Sequence, residues 1–66
     1  MSEIDELIFK ARVAYKIQQN AIASGKVLDI VPAARTYNEL FQQVMDRAKI
    51  SRTKAFAVIV ENKVLR

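Results

Sequence analysis

The chain has 66 residues, a net charge of +4, 52% hydrophobic residues, and neither Cys nor His. A domain this short buries only about 60% of the surface that its unfolded form exposes, so disulfides, metals or oligomerisation commonly supplement the core. The absence of Cys and His excludes disulfides and thiolate metal sites and removes the usual general base. We therefore expect no metal, no cofactor and no enzymatic activity, and we expect a homodimer or a higher homo-oligomer.

The first predicted element is a helix from about Ser2 to Ser24, within an N-terminal segment of residues 1–25. Ser2 and Asp5 are spaced like a capping box, and Gly25 stands where a helix C-terminal cap belongs. Seven apolar residues follow the three-to-four spacing of a single buried face. They are Ile4, Leu7, Ile8, Ala11, Ala14, Tyr15 and Ile22.

No targeting segment is apparent in the sequence. The first six residues are acidic, whereas a secretory signal is basic and is followed by an apolar run. The longest apolar run covers residues 55–60, far short of the roughly 18 residues that suggest a membrane span. The sequence therefore predicts a cytoplasmic protein that does not bind a membrane.

An extended connector is predicted over residues 26–33. The segment is rich in β-branched residues and leads to Pro32. Proline interrupts helical hydrogen bonding and favours an extended conformation for the residue before it, Val31. We expect a short extended segment or strand here.

A helix pair is predicted over residues 36–66. Thr36 and Glu39 form a capping box for the second helix, and Ser51 is a good N-cap for a third helix that reaches about Leu65. The middle of the third helix is apolar on every side, so a second copy of the chain is expected to cover it. The predicted dimer core consists of Phe41, Val44, Met45, Phe56, Val58, Ile59 and Val60.

The excess positive charge lies in the second half of the chain. Residues 1–33 contain four acids and four bases, whereas residues 34–66 contain three acids and seven bases. A basic half suggests a polyanionic partner, although a solvated surface kept soluble by its charge is an equally good reading. Cations in the first turn of the third helix are unfavourable, because they lie at the positive end of the helix dipole. They are explained if an external anion, such as a DNA phosphate, docks on this turn. The candidate phosphate-binding residues are Ser51, Arg52, Thr53, Lys54, Lys49 and Arg35.

The helix pair resembles that of ribbon-helix-helix repressors, which include plasmid copy-number regulators and antitoxin DNA-binding domains. The similarity covers residues 36–64 and rests on the spacing of apolar residues such as Phe41, Val44 and Phe56, and on Ser51-Arg52-Thr53. It implies an obligate, intertwined dimer whose second helix of the pair clamps DNA phosphates. The segment before the pair departs from the family, because residues 27–33 offer no Arg, Lys, Asn or Gln for base contacts.

The fold expected from these features is mainly α and ribbon-helix-helix-like, in a single small domain of residues 1–66. The leading function is a small dimeric DNA-binding transcriptional regulator that acts as a repressor. The alternative is a protein-binding module, such as an inhibitor, an antitoxin or an assembly adaptor of a phage or plasmid. This module would present the N-terminal helix or the connector to a protein partner.

Overall fold

The computed structural model describes residues 2–64, which contain three helices. Helix α1 spans Glu3–Ser24, α2 spans Val27–Ala48 and α3 spans Arg52–Ile59. The most extensive helix contact joins α1 and α2, which form an antiparallel hairpin, and α3 packs against both. Within residues 2–64 there is no strand. No helix among these residues has both the length and the apolar character needed to cross a membrane.

Helix α1 begins and ends where the sequence predicts. The Ser2 hydroxyl accepts a hydrogen bond from the Asp5 backbone N–H at 3.1 Å, which satisfies one unpaired donor of the first turn. Gly25 adopts a left-handed conformation with φ of 68°, and the Lys26 N–H bonds back to the Ala21 carbonyl. This is a Schellman-type ending, which reverses the chain into α2 after two residues.

The predicted extended segment over residues 26–33 is wrong, because α2 begins at Val27 and continues through this segment. Ile30, Ala33 and Ala34 are half-buried on one side of the helix, so packing against α1 outweighs the β-branched composition. The mainly helical character is correct, but the ribbon of the expected ribbon-helix-helix-like fold is not present among the described residues.

Thr36 lies inside α2 and does not cap a helix. Its hydroxyl donates a hydrogen bond to the Pro32 carbonyl at 3.0 Å, one turn earlier. Pro32 has no N–H, so the Leu28 carbonyl, four residues earlier, lacks its helical hydrogen-bond donor. This loss is tolerated because the carbonyl lies near the start of α2, close to water. Leu28 is 91% exposed, so water can reach this part of the chain.

Helix α3 begins as predicted but ends earlier. The Ser51 hydroxyl accepts a hydrogen bond from the Lys54 N–H at 3.2 Å. At the other end Asn62 adopts a left-handed conformation with φ of 56°, and the Lys63 N–H bonds to the Ala57 carbonyl at 3.0 Å. This reversal ends the helix at Ile59, where the sequence suggested continuation to about Leu65, a residue outside the described range.

The core forms where the inner side of α3 meets the hairpin. Its buried members come from all three helices: Ile8, Ala11, Phe41, Val44, Ala55, Val58 and Ile59. Val58 and Ile59 are 1% and 2% exposed within one chain. Within one chain, α3 therefore buries its inner side against its own hairpin, and the intertwined dimer core stays a prediction.

One side chain fastens the end of α3 to α1. Arg12 donates from Nε and Nη2 to the Val58 carbonyl, at 3.1 and 2.8 Å. The last carbonyls of a helix have no partner within the helix, and a guanidinium supplies charged donors for them. Arg12 thus satisfies an acceptor at the C-terminus of α3 while its stem covers apolar surface.

Arg12→Met should lower the free energy of unfolding by about 1–2 kcal/mol, because it removes hydrogen bonds from a charged donor to a half-buried carbonyl. Lys16→Met, one turn later on the exposed surface of α1, is the matched control and should change stability little. Urea denaturation followed by circular dichroism measures both. Equal stability of the two variants would contradict a role for Arg12 in holding α3.

Candidate functional site

The predicted phosphate-binding residues lie mostly together at the start of α3. Ser51 is the N-cap, Arg52 and Thr53 are exposed, and Lys54 is half-buried. Lys49 ends α2 in a left-handed conformation two residues before Ser51. These five residues are called the basic turn below.

Arg35 does not belong to the basic turn. It is exposed in α2, thirteen residues before the end of that helix. A rise of 1.5 Å per residue places it about 20 Å along the helix from Lys49. The structure therefore separates Arg35 from the other predicted phosphate-binding residues.

Arg52 packs against an aromatic row beneath the basic turn. Its guanidinium carbon lies 5.8 Å from the centroid of the Phe41 ring, within cation–π range. Tyr37 packs edge-on against Phe41 at 5.6 Å, and Tyr15 of α1 follows at 5.5 Å from Tyr37. The Arg52 charge is thus partly directed at the chain's own aromatic surface.

The residues predicted to form a dimer core divide into two groups. Phe41, Val44, Val58 and Ile59 are buried within the single chain, and Met45 and Val60 pack against them half-buried. Phe56 is 47% exposed on the outer side of α3. Most of this set therefore stabilises the fold of one chain.

An apolar groove runs along the side of the hairpin away from Arg12. Its volume is about 710 Å³, and both long helices line it. The wall on α1 consists of Phe9, Val13 and Ile17, which are 61%, 41% and 55% exposed. Pro32, Ala33 and Leu40 of α2 face them, and the buried small side chains of Ala14 and Ala21 contribute to the lining.

Charged groups line the groove near its two ends. Lys10 lies toward the start of α1, whereas Lys26 and Asp29 lie beside the turn that joins the helices. Asn20, Ser24 and Thr36 add polar atoms between these charges. In residues 2–64 no group of acids is placed to hold a metal ion.

The sequence-based reading did not identify the groove as a site, although its signal is present in the spacing. Phe9, Val13 and Ile17 recur every four residues, which places them on one stripe of α1. This stripe lies beside the buried stripe that contains Ile8 and Ala11. The helix is therefore apolar over a wider arc than the hairpin contact covers.

No protein-family model, no curated protein and no solved structure matches this chain.

The Tyr37 hydroxyl links the aromatic row to pH. Burial raises the pKa of Tyr37 above the ordinary value of 10.0, and the neighbouring Tyr15 raises it further, whereas Arg52 acts in the opposite direction. A raised pKa means that the folded chain prefers the neutral phenol. The contribution of the Tyr37 phenol to the free energy of unfolding is complete below about pH 10. It is lost as the pH rises through the pKa of Tyr37 in the folded chain.

Above pH 10, the free energy of unfolding should therefore decrease less in Tyr37→Phe than in the parent chain. Lysine titration is common to the parent and the variant, so the difference between their curves reports on Tyr37. Urea denaturation at a series of pH values from 8 to 11 gives both curves. Parallel curves over this range would show that the phenol is not linked to folding.

Proposed function

We propose that this chain is a protein-binding module that receives an apolar helix of another polypeptide in the groove between α1 and α2. The observation that carries the proposal is the exposure of Phe9 and Ile17 along a continuous groove of about 710 Å³. Exposed apolar surface of this kind, rimmed by polar residues, is typical of protein interaction sites.

The shape of the groove favours a helix over a small ligand. Small-molecule sites enclose most of their ligand, whereas the wall residues Phe9, Val13 and Ile17 remain at least two-fifths exposed. A trough between two parallel rows of apolar side chains matches the ridge of an amphipathic helix. Such a helix would bury the α1 wall and complete a three-helix contact.

The charged residues of the groove favour binding over catalysis. Asp29 is the one acid in the groove lining, and no second carboxylate lies beside it there. The sequence provides no Cys or His as an alternative nucleophile or base. The polar groups are better suited to setting the orientation of a bound helix.

Photo-crosslinking tests this function. With p-benzoylphenylalanine in place of Phe9 or Ile17, irradiation of living cells that produce the chain should yield a covalent adduct with a defined polypeptide. The matched control places the probe at Leu28, an exposed apolar residue outside the groove. Ile17→Asp in the Phe9-labelled chain should abolish the adduct.

Adducts of equal yield at Phe9 and Leu28, or none from the groove positions, would contradict the proposal. Mass spectrometry of the adduct identifies the crosslinked peptide. We expect that peptide to come from an amphipathic helix.

A second candidate function is DNA binding at the basic turn. The first N–H groups of α3 have no partner within the helix, and Arg52, Thr53 and Lys49 are exposed around them. This combination suits a phosphate group. The groove remains the stronger candidate, because Arg52 also packs on Phe41 and Arg35 lies elsewhere.

If the basic turn binds duplex DNA, Arg52→Ala/Lys54→Ala should weaken binding to all sequences and reduce the salt slope by about one unit per lost contact. Lys10→Ala/Lys16→Ala removes the same charge from α1 and is the matched control. Fluorescence anisotropy with a random-sequence duplex at several salt concentrations measures the slopes. Identical slopes for the two double variants would exclude a specific role for the basic turn.

A further inference from the structure

We propose that the helix received by the groove belongs to a second copy of this chain, turned end for end, so that two hairpins form a symmetric four-helix dimer. This inference rests on the proposed function, because it names the partner of the same groove. Three features carry it: the balance of buried and exposed apolar residues, the order of charges along the groove, and the position of α3.

The single chain leaves much of its apolar surface uncovered. Among residues 2–64, nine hydrophobic residues are buried, and four of them are alanines. Nine large hydrophobic residues in the same range are exposed, and three of them, Phe9, Val13 and Ile17, line the groove. Small domains without disulfides or metals commonly compensate for a thin core by oligomerisation. A second copy covers the groove without requiring any other partner.

The contacts between α1 and α2 fix their register. Tyr15 packs on Tyr37, and Glu3 pairs with Arg47. The two helices are therefore antiparallel, and residues at the same level of the hairpin have numbers that add up to about 51. By this register Asp29 is level with about Ile22 of α1. It therefore lies about 18 Å along the hairpin from Lys10, too far for a pair within one chain.

The charges are ordered so that an end-for-end copy complements them. Glu6 and Lys10 lie at one end, and Lys26 and Asp29 lie at the other. Glu6 continues the stripe of Lys10 and Val13 at helical spacing, just outside the groove lining. When the second copy is reversed, Lys10 meets Asp29 of the other copy and Glu6 meets its Lys26.

These pairings share one two-fold axis. The midpoint between Lys10 and the level of Asp29 lies near residue 16 of α1, and that between Glu6 and the level of Lys26 lies near residue 15. The apolar pair of Val13 and Ile17 is centred on residue 15 as well. Along the hairpin axis, one rotation therefore brings apolar residues level with apolar residues, and each charge level with an opposite charge on the diagonally placed helix of the other copy, as an isologous interface allows.

The placement of α3 leaves this dimer unobstructed. Arg12, which holds α3, is about 140° around α1 from Ile17, because successive residues turn by 100°. Helix α3 therefore covers the side of the hairpin away from the groove. Two hairpins approach groove to groove, and both copies of α3 remain on the outside.

Charge-reversal variants test the dimer by sedimentation equilibrium. Lys10→Glu and Asp29→Lys should each raise the dimer Kd roughly tenfold, because each pair occurs twice in a symmetric dimer and becomes repulsive. The double variant Lys10→Glu/Asp29→Lys restores opposite charges and should recover most of the parent affinity. Ile17→Asp should leave only monomer, whereas Leu28→Asp should not. Far-UV circular dichroism verifies that each variant remains helical.

Three results would overturn the inference. The first is a parent chain that stays monomeric at several hundred micromolar. The second is a dimer insensitive to Ile17→Asp, which places the interface elsewhere. The third is a double variant no better than the single ones, which excludes the end-for-end arrangement. A monomeric chain that still crosslinks from Phe9 to a different polypeptide would retain the proposed function and remove only the second copy.

Discussion

The close approach of α1 and α2 is the constraint on which the other features depend. Ala11, Ala14 and Ala21 place small side chains along the inner side of α1, so the interaxial distance can be short. Phe9 and Ile17 lie beside this seam and not within it. They stand along its edge and form the wall of the groove. An alanine-lined seam and an exposed apolar flank thus lie side by side on α1.

The two sides of the hairpin differ, because α3 covers one of them and the groove lies on the other. On one side α3 covers Ile8 and Val44, and the aromatic row leads to Arg52. On the other side the groove stays open, with charged residues only near its ends. The groove and the basic turn are therefore physically separate, and no residue of the basic turn lines the groove. The two candidate functions can be tested independently for this reason.

Local signals in the sequence predicted the helix ends that depend on local chemistry. Ser2, Gly25 and Ser51 cap helices because their side chains or left-handed backbone satisfy terminal groups, and this requires no knowledge of the fold. The segment 26–33 was mispredicted because β-branched composition and Pro32 are weaker than packing against α1. The groove was missed for a related reason. Spacing identifies the apolar arc of α1, but which part of that arc stays exposed depends on how α2 and α3 pack against it.

The brevity of α3 has a consequence for the dynamics of the chain. A helix of eight residues is marginal on its own, so its order derives from Ala55, Val58 and Ile59 and from the bonds of Arg12. The hairpin has more extensive contacts of its own, so α3 can detach while α1 and α2 stay paired. In hydrogen exchange, the amides of α3 should exchange as one early unit, ahead of the hairpin. Detachment of α3 would uncover Phe41 and Val44, so we expect aggregation of the chain to follow the opening of α3 more closely than its global stability.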